Sequence, residues 1–437
     1  MTIIDKEYIN VGVVGAGTVG GGTVRVLAQN AEVIAVRALP IRLKWLAEKD
    51  IPRGRALLDE LALTETQLTD NWHDLIDDPD TDIVVELIGG TRLAYDIIAA
   101  ALSAGKSVCT ANKDLMATRG GELLAIAAEH GADLFFEAAV AGGIPIITSL
   151  KENLTANRFH EVMGIVNGTT NFILTKMSES GADFASTLKE AQDLGYAEAD
   201  PTADIEGIDA ARKMAILASI CYNSRVTLDQ VYHEGITHIT NWDMAYAHDL
   251  GYEIKMVGLC RYDGEMIDVR VHPLLLPQDH PLSGVRDSYN AIYVDCDALE
   301  KAMFYGRGAG ALPTGSAVAG DVVTAARNIV HDCRGRIGCT CRLHIPVRDI
   351  SDTVSQYFVR VQVKDQLGVF AAMGQQLAAS GVSVNSLLQK RALDDGQADI
   401  VLITHPTRHG DLLQALDRTA ALPFVTAVGH PIRVQNN

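Results

Sequence analysis

The chain has 437 residues, 48% hydrophobic and 21% charged, which is too long for one core of about 250–300 residues and too apolar for extensive disorder; two or three packed domains are expected. A formal net charge of −18 without Lys/Arg clusters excludes nucleic acid and anionic membrane surfaces as partners. No apolar run approaches the roughly 18 residues of a membrane span and no export leader is present, so a cytoplasmic protein is expected, and seven scattered cysteines fit a reducing compartment.

The stretch "YINVGVVGAGTVGGGTVRVL" predicts a buried strand over Val11–Val14 that runs into Gly15-x-Gly17-x-x-Gly20, with helical spacing resuming at Val19, Val24 and Leu27. Glycines at these points permit a tight turn, the approach of backbone N–H groups to a pyrophosphate, and close packing of helix on strand. With a second strand predicted at "EVIAV", the pattern is a dinucleotide loop of a Rossmann-type domain, with Thr18 and Val19 as further cofactor contacts. An NAD-selective site carries Asp or Glu at the end of that second strand. Val36 and Arg37 stand there instead, so Arg37 is expected to face a 2′-phosphate and NADP is preferred, with NAD still possible.

Further βα units follow. "TDIVVELIGG" ends a strand in the Gly89-Gly90 turn, "YDIIAAALSAG" reads as a helix, "KSVCTANKDLMA" as strand and turn, and "GGELLAIAAEHGADLFFEAAVAGG" as helix and strand. Apolar runs alternating with helices predict a parallel sheet covered on both faces, whose ligands gather at the carboxyl ends of its strands. Gly89-Gly90 and Asn112-Lys113 lie at such ends; from position alone Lys113 reads equally as a solvated helix-start lysine.

From about residue 140 the strands alternate or mix, predicting an antiparallel sheet in an α+β substrate and dimerisation domain. Within it, "GYAEADPTADIEGIDAARK" (195–213) gathers five carboxylates before Arg212 and Lys213. Pro201 and Gly207 break the chain ahead of a helix beginning near Ile208, and Asp209 and Lys213, four apart, share one face of it. An exposed pair of this kind contributes only about 0.3–0.5 kcal/mol, whereas a lysine desolvated beside a carboxylate is tunable as a proton donor.

Residues 331–353 read as a linker. Cys333, Cys339 and Cys341, with His331 and His344 nearby, lack the C-x2-C knuckle of a metal site and are read as reduced thiols. Over 354–437 the order strand, helix, strand, strand, helix, strand predicts a ferredoxin-like βαββαβ module.

As a whole the chain resembles homoserine dehydrogenase, the monofunctional bacterial form. "VGVVGAGTVGGGTVRVL", "ELIGG", "TANKDLMA", "FFEAAVAGGIPII", "VNGTTNFIL", "GYAEADPTADIEGIDAARKMAILA" and "GRGAGALPTGSAVAGD" carry the likeness over residues 8 to about 330. It implies an α/β chain with a nucleotide domain at 1–138 completed by a returning helix near 311–330, and a catalytic domain at 139–330. The implied activity is NAD(P)-linked interconversion of L-homoserine and L-aspartate 4-semialdehyde, feeding threonine, methionine and isoleucine synthesis. It further implies Lys213 as proton donor, Asp209 as its orienting partner, Glu198 as ligand of the substrate amino group and Lys113 between cofactor and substrate. Gly168 and Thr169 would contact the substrate and Gly308 and Gly310 the nicotinamide half. "EAAVAGGI" implies Na⁺ or another monovalent cation on the Glu137 side chain and the carbonyls of Val140, Gly142 and Ile144.

The terminal module resembles an ACT domain, which implies feedback control by L-threonine, with Asp365, Gly368 and Asn385 as effector positions in a homodimer or homotetramer. Two other readings compete. A phosphorylating semialdehyde dehydrogenase needs a nucleophilic cysteine activated by histidine, and no such pairing stands out; a ligand-sensing regulator has no need of Glu198, Asp209, Lys113 and Lys213 together.

Overall fold

In the computed structural model, residues 6–392 and 396–435 are described. None of the helices among them is long and apolar enough to cross a membrane. They gather into two compact units. One takes in the chain up to His160, Arg212–Gln230 and Asn290–Ile345; the other takes Glu161–Ala211, Val231–Tyr289 and the chain from Pro346.

The first unit begins with β1 (Ile9–Val14), α1 (Thr18–Gln29), α2 (Ala31–Arg37), β2 (Ile41–Ala47), α3 (Ile51–Glu60) and β3 (Gln67–Thr69). It continues with α4 (His73–Asp77), β4 (Ile83–Glu86), α5 (Arg92–Ser103), β5 (Ser107–Thr110), α6 (Lys113–Glu129) and β6 (Leu134–Phe135). The strands pair in the order β3-β2-β1-β4-β5-β6, all parallel. This is the expected nucleotide-binding arrangement, and its strand order reverses between β1 and β4.

One element departs from expectation. "EVIAV" is not a strand; it lies in helix α2, and the second strand is β2, "IRLKWLA". The β-branched residues of α2 do not fill a sheet: Val33 and Val36 are exposed, Val36 at 88%. Pro40 disfavours helix at the residue before it and so separates α2 from β2. In β2 the polar Arg42 and Lys44 alternate with Ile41, Leu43 and Trp45, which hid a parallel strand from a search for continuous apolar runs. Arg37 is therefore an exposed residue at the end of a short helix, and the residue after the second strand is Glu48.

The chain proceeds through β7 (Phe159–Ile165), α7 (Gly168–Ser180), α8 (Phe184–Asp193), α9 (Thr202–Ile205) and α10 (Ile208–Cys221). After β8 (Tyr232–His233) and α11 (Asn241–Asp249), the long strands β9 (Tyr252–Tyr262) and β10 (Ile267–Pro277) form an antiparallel pair, with β7 antiparallel on the other side of β9. Next come β11 (Tyr289–Cys296), β12 (Glu300–Arg307) and the 20-residue α12 (Ala311–Val330). Helix α12 packs on the nucleotide sheet: Val318, Val322 and Ala325 share a core with Val11, Val13, Ile83 and Val85 of β1 and β4. It lies so close to α1 that a Cβ on Gly22 would stand 2.0 Å from the Ala311 carbonyl oxygen, and one on Gly315 would stand 2.6 Å from the Gly22 carbonyl carbon.

The terminal module comprises β13 (Val354–Lys364), α13 (Val369–Ala379), β14 (Val384–Ala392), β15 (Gln397–Thr404), β16 (Thr407–Arg408), α14 (His409–Ala420), β17 (Val425–Val428) and β18 (Ile432–Val434). This is the expected βαββαβ order with the last strand in two pieces, both on β13. Met373 and Leu377 of α13 and Leu412 and Leu416 of α14 cover Val359, Val361, Ile400 and Leu402. Because β18 also pairs in parallel with β10, Leu274 opposite Arg433, the module continues the β7-β9-β10 sheet of the second unit. Charged groups are buried beside this join. Arg433, 1% exposed, donates to Glu234 Oε2 at 2.9 Å, His430 Nε2 lies 2.8 Å from Glu234 Oε1, and the Tyr357 hydroxyl is 3.1 Å from His409 Nδ1.

Candidate active site

In the first unit the turn after β1 is shaped by Gly15 at φ +100°, where a Cβ would also meet the Leu87 carbonyl at 2.9 Å. Gly17 and Thr18 are exposed at the start of α1, whose free N–H groups and dipole favour an anion there. A Cβ on Gly20 would stand 1.9 Å from the Gly15 carbonyl oxygen, so helix and strand close only with glycine. A cavity of about 420 Å³ opens beside this turn, lined by Gly15, Gly17, Glu48, Trp72, Ile88 and Gly89 among others. A second, of about 240 Å³, is lined by Val19, Glu86, Gly89, Gly90, Asn112 and Lys113 among others. These spaces fit a dinucleotide.

Two side chains hold the turns in place, Asn112, which the sequence placed at a strand end beside Lys113, and Glu86, which it did not single out. Glu86, fully buried at the end of β4, accepts the Thr110 hydroxyl at 2.7 Å and the N–H groups of Ile88 and Gly89 at 2.9 and 3.2 Å. Burial pushes its carboxyl above the usual range, against those hydrogen bonds. Asn112 caps α6 by accepting the Leu115 N–H and donates to the Gly90 carbonyl at 2.7 Å, fixing the backbone on which Lys113 sits. An acid inside the apolar run "IVVELIGG" was the available signal.

Arg212 Nε lies 3.1 Å from Asp114 Oδ1. This pair ties the first turn of α6 to α10 through the sequence neighbours of Lys113 and Lys213. Lys113 is half-buried and Lys213 is buried at 7% exposure.

In the second unit Asn167 links Asp209 to the start of α7, where Gly168 and Thr169 lie. Its Oδ1 accepts the Thr170 N–H and so caps α7, while its Nδ2 donates to Asp204 Oδ1 at 2.7 Å and Asp209 Oδ2 at 2.9 Å. Gly168 and Thr169 form the first turn of α7, and the Thr169 hydroxyl donates to the Tyr196 carbonyl at 2.7 Å, anchoring the acidic loop. Asp209 is 4% exposed, whereas Glu198 is exposed on that loop.

The other expected residues are distributed as follows. Glu137 Oε1 and Oε2 accept the N–H groups of Ile147 and Thr148 at 2.7 and 2.8 Å, closing the loop that contains Val140, Gly142 and Ile144. A Cβ on Gly142 would meet the Gly308 carbonyl at 2.4 Å, so that loop touches the "GRGAG" turn, where Gly310 leads into α12. In the terminal module Asp365 and Gly368 are exposed at the turn after β13, and Asn385 is exposed at a register shift in β14. Cys339 faces the Arg225 guanidinium at 3.4 Å and the Cys341 thiol donates to the Ser219 carbonyl at 3.5 Å, while Cys333 points to Asn328. Among the described residues, one group of side chains has metal-ligand spacing, Glu234, His238 and His430, which the sequence did not suggest.

The comparisons with known proteins agree along the whole chain. Residues 15–137 match the family model of the homoserine dehydrogenase NAD binding domain, 145–323 that of homoserine dehydrogenase, and 357–424 that of the ACT domain. The homoserine dehydrogenase of Bacillus subtilis (strain 168) is 43% identical over 433 residues, covering 99% of each chain. The crystal structure of a homoserine dehydrogenase from Thiobacillus denitrificans is 42% identical with a TM-score of 0.92 over 98% of each chain. A hyperthermophilic archaeal homoserine dehydrogenase in complex with NADPH is 27% identical with a TM-score of 0.62, over 73% of this chain and 97% of that one. With glycine turn, parallel sheet, capped acidic cluster and terminal module all in that order, the chain belongs to the homoserine dehydrogenase family, in the form that ends in an ACT domain.

Proposed function

We propose that the protein interconverts L-homoserine and L-aspartate 4-semialdehyde with a nicotinamide dinucleotide, in the synthesis of threonine, methionine and isoleucine. The bound nicotinamide supplies or accepts the hydride. Lys213 gives a proton to the aldehyde oxygen in reduction and takes it back in oxidation, Asp209 orients that ammonium, and Lys113 stands between cofactor and substrate. Glu198 holds the substrate ammonium, with Gly168 and Thr169 contacting the substrate beside it. The observation that carries this reading is the Arg212–Asp114 ion pair, because it fixes the segments bearing both lysines to each other beside the nucleotide turns.

The phosphorylating alternative is disfavoured by Cys109: it is fully buried in β5, and burial, then the charges of Asp321 and Asp133, push its thiol up rather than activate it. Absorbance at 340 nm separates the readings. Reduced nucleotide formed from homoserine without phosphate is the expected result; turnover only of semialdehyde with phosphate, or none at all, refutes it.

Two finer roles belong to the same proposal. Na⁺ or another monovalent cation would be held by Glu137 and the carbonyls of Val140, Gly142 and Ile144, hard oxygen ligands on a loop packed against the 308–310 turn. L-Threonine would act as effector through Asp365, Gly368 and Asn385 in a homodimer or homotetramer, which requires it to bind two enzyme states unequally. Rate measurements with Na⁺ replaced by a bulky organic cation, and with added threonine, test each in turn.

A further inference from the structure

The reader of the adenosine ribose is misplaced if sought about 20 residues past the glycine turn, because the extra helix α2 lies between α1 and β2. The structure gives the position directly. Val14 of β1 stands opposite Ala47 of β2, and Glu48 is the first residue beyond that strand's carboxyl end. Glu48 Oε2 accepts the Ala16 N–H of the glycine turn at 2.6 Å, and Oε1 accepts the Asp50 N–H at 3.0 Å. The carboxylate is thus fixed between the phosphate-binding turn and the start of α3, on the wall of the larger cavity. Each oxygen keeps a lone pair for a further donor.

We propose that Glu48 selects the cofactor, accepting hydrogen bonds from the unmodified 2′,3′-diol of the adenosine ribose and repelling a 2′-phosphate, so that the enzyme prefers NAD(H) to NADP(H). The inference deepens the proposed dehydrogenase reading and rests on its nucleotide site. It reverses the expectation drawn from Arg37. Two basic residues, Lys49 and Arg53, line the same cavity and are the natural counter-argument. Arg53 lies 3.7 Å from Asp50, whose side chain also caps α3 by accepting the Arg53 N–H, so part of its charge is met locally. A phosphate reaching them passes a carboxylate that cannot swing aside without giving up both backbone hydrogen bonds.

The test measures binding without turnover. Full-length protein is titrated calorimetrically with ADP-ribose and with 2′-phospho-ADP-ribose, and kcat/KM is compared for NAD and NADP with homoserine. ADP-ribose is expected to bind about 10²-fold tighter, because the 2′-phosphate sets a second anion against the Glu48 carboxylate where a hydroxyl would donate to it. Glu48→Gln keeps the acceptor of the Ala16 N–H and removes the charge; it should narrow that ratio at least 10-fold, mainly by tightening the phosphorylated ligand. Lys49→Ala and Arg53→Ala should leave the ratio within about 3-fold. Equal or tighter binding of the phosphorylated ligand by the unmodified protein, or an unchanged ratio in Glu48→Gln, overturns this inference while leaving the dehydrogenase reading intact. Binding of neither ligand overturns both.

Discussion

Asn167 Nδ2 lies 2.9 Å from Asp209 Oδ2 and 2.7 Å from Asp204 Oδ1, so a single amide group serves two carboxylates while its oxygen caps α7. Asn167→Asp preserves a cap acceptor and replaces the shared donor with a third acid. Such a variant should fold with little loss and yet lose about 10-fold or more in kcat/KM for homoserine, because Asp209 is then met by repulsion. Asn167→Ala should in addition lower stability by roughly 1–2 kcal/mol through the lost cap. Steady-state kinetics together with thermal unfolding distinguish the two; unchanged kinetics in Asn167→Asp would separate this cluster from the chemistry.

Lys213→Ala removes the proposed proton donor and should lower kcat by about 10²-fold, the lower range for loss of a general acid, with nucleotide affinity retained. Arg212→Ala, one residue away, breaks the pair with Asp114 and should act more weakly, about 10-fold, with a larger share in KM. Near-normal turnover of Lys213→Ala refutes the assignment.

Two glycines of α12 make opposite forecasts. Gly315→Ala drives a methyl into the backbone of α1 at Gly22 and should cost about 1–3 kcal/mol, whereas Gly320, exposed and with nothing within 4 Å of an added Cβ, should gain roughly 0.5–1 kcal/mol as alanine. Paired denaturant melts read the difference; equal effects would mean that α12 does not press on α1.

Acid should loosen the second unit before the carboxylates there titrate. Burial, and then the charge of Arg433, hold the His409 imidazole down to about 4, with Glu234, Arg270 and His430 also facing it; burial, and then His430, hold His238 at about 4. The unfolded chain takes up these protons near pH 6.5, so between about 6.5 and 4 it binds more protons than the folded state and stability falls as the pH falls. Glu234 adds its loss lower still: burial alone would raise its carboxyl, but the His430 hydrogen bond and the Arg433 charge keep it well below the usual range. His409→Gln retains a polar partner for Tyr357 and should flatten the decline in unfolding midpoint over that window. An equally steep decline places the titration elsewhere.

What could be read in advance depended on how far apart the deciding contacts lie. The β1 turn was legible because an apolar strand, three glycines and an apolar helix sit within 20 residues, and the βαββαβ order was legible for the same local reason. β2 was not: lying near the sheet edge, it carries Arg42 and Lys44 outward, and its Val/Ile-rich neighbour in α2 imitated a strand better than it did. Lys113 was legible from its place at a strand end, and Asp209 and Lys213 from their spacing of four ahead of an apolar run; only their roles came through the family pattern. Glu86, Asn167 and Glu48 were not legible, since each acts through bonds to residues 24, 37 or 32 positions away, and such distances leave no mark on local spacing.

Because α12 supplies one flank of the nucleotide sheet from some 300 residues downstream of β1, that unit is not a stretch of chain that can be cut out. During synthesis its strands emerge long before their cover does, and the apolar face awaiting Val318, Val322 and Ala325 stays bare until residue 330 has left the ribosome. The first-made domain thus waits for a helix that is translated after strands β7, β8, β9 and β10 of the second unit, and expression of residues 1–138 alone should yield aggregate rather than a soluble nucleotide binder.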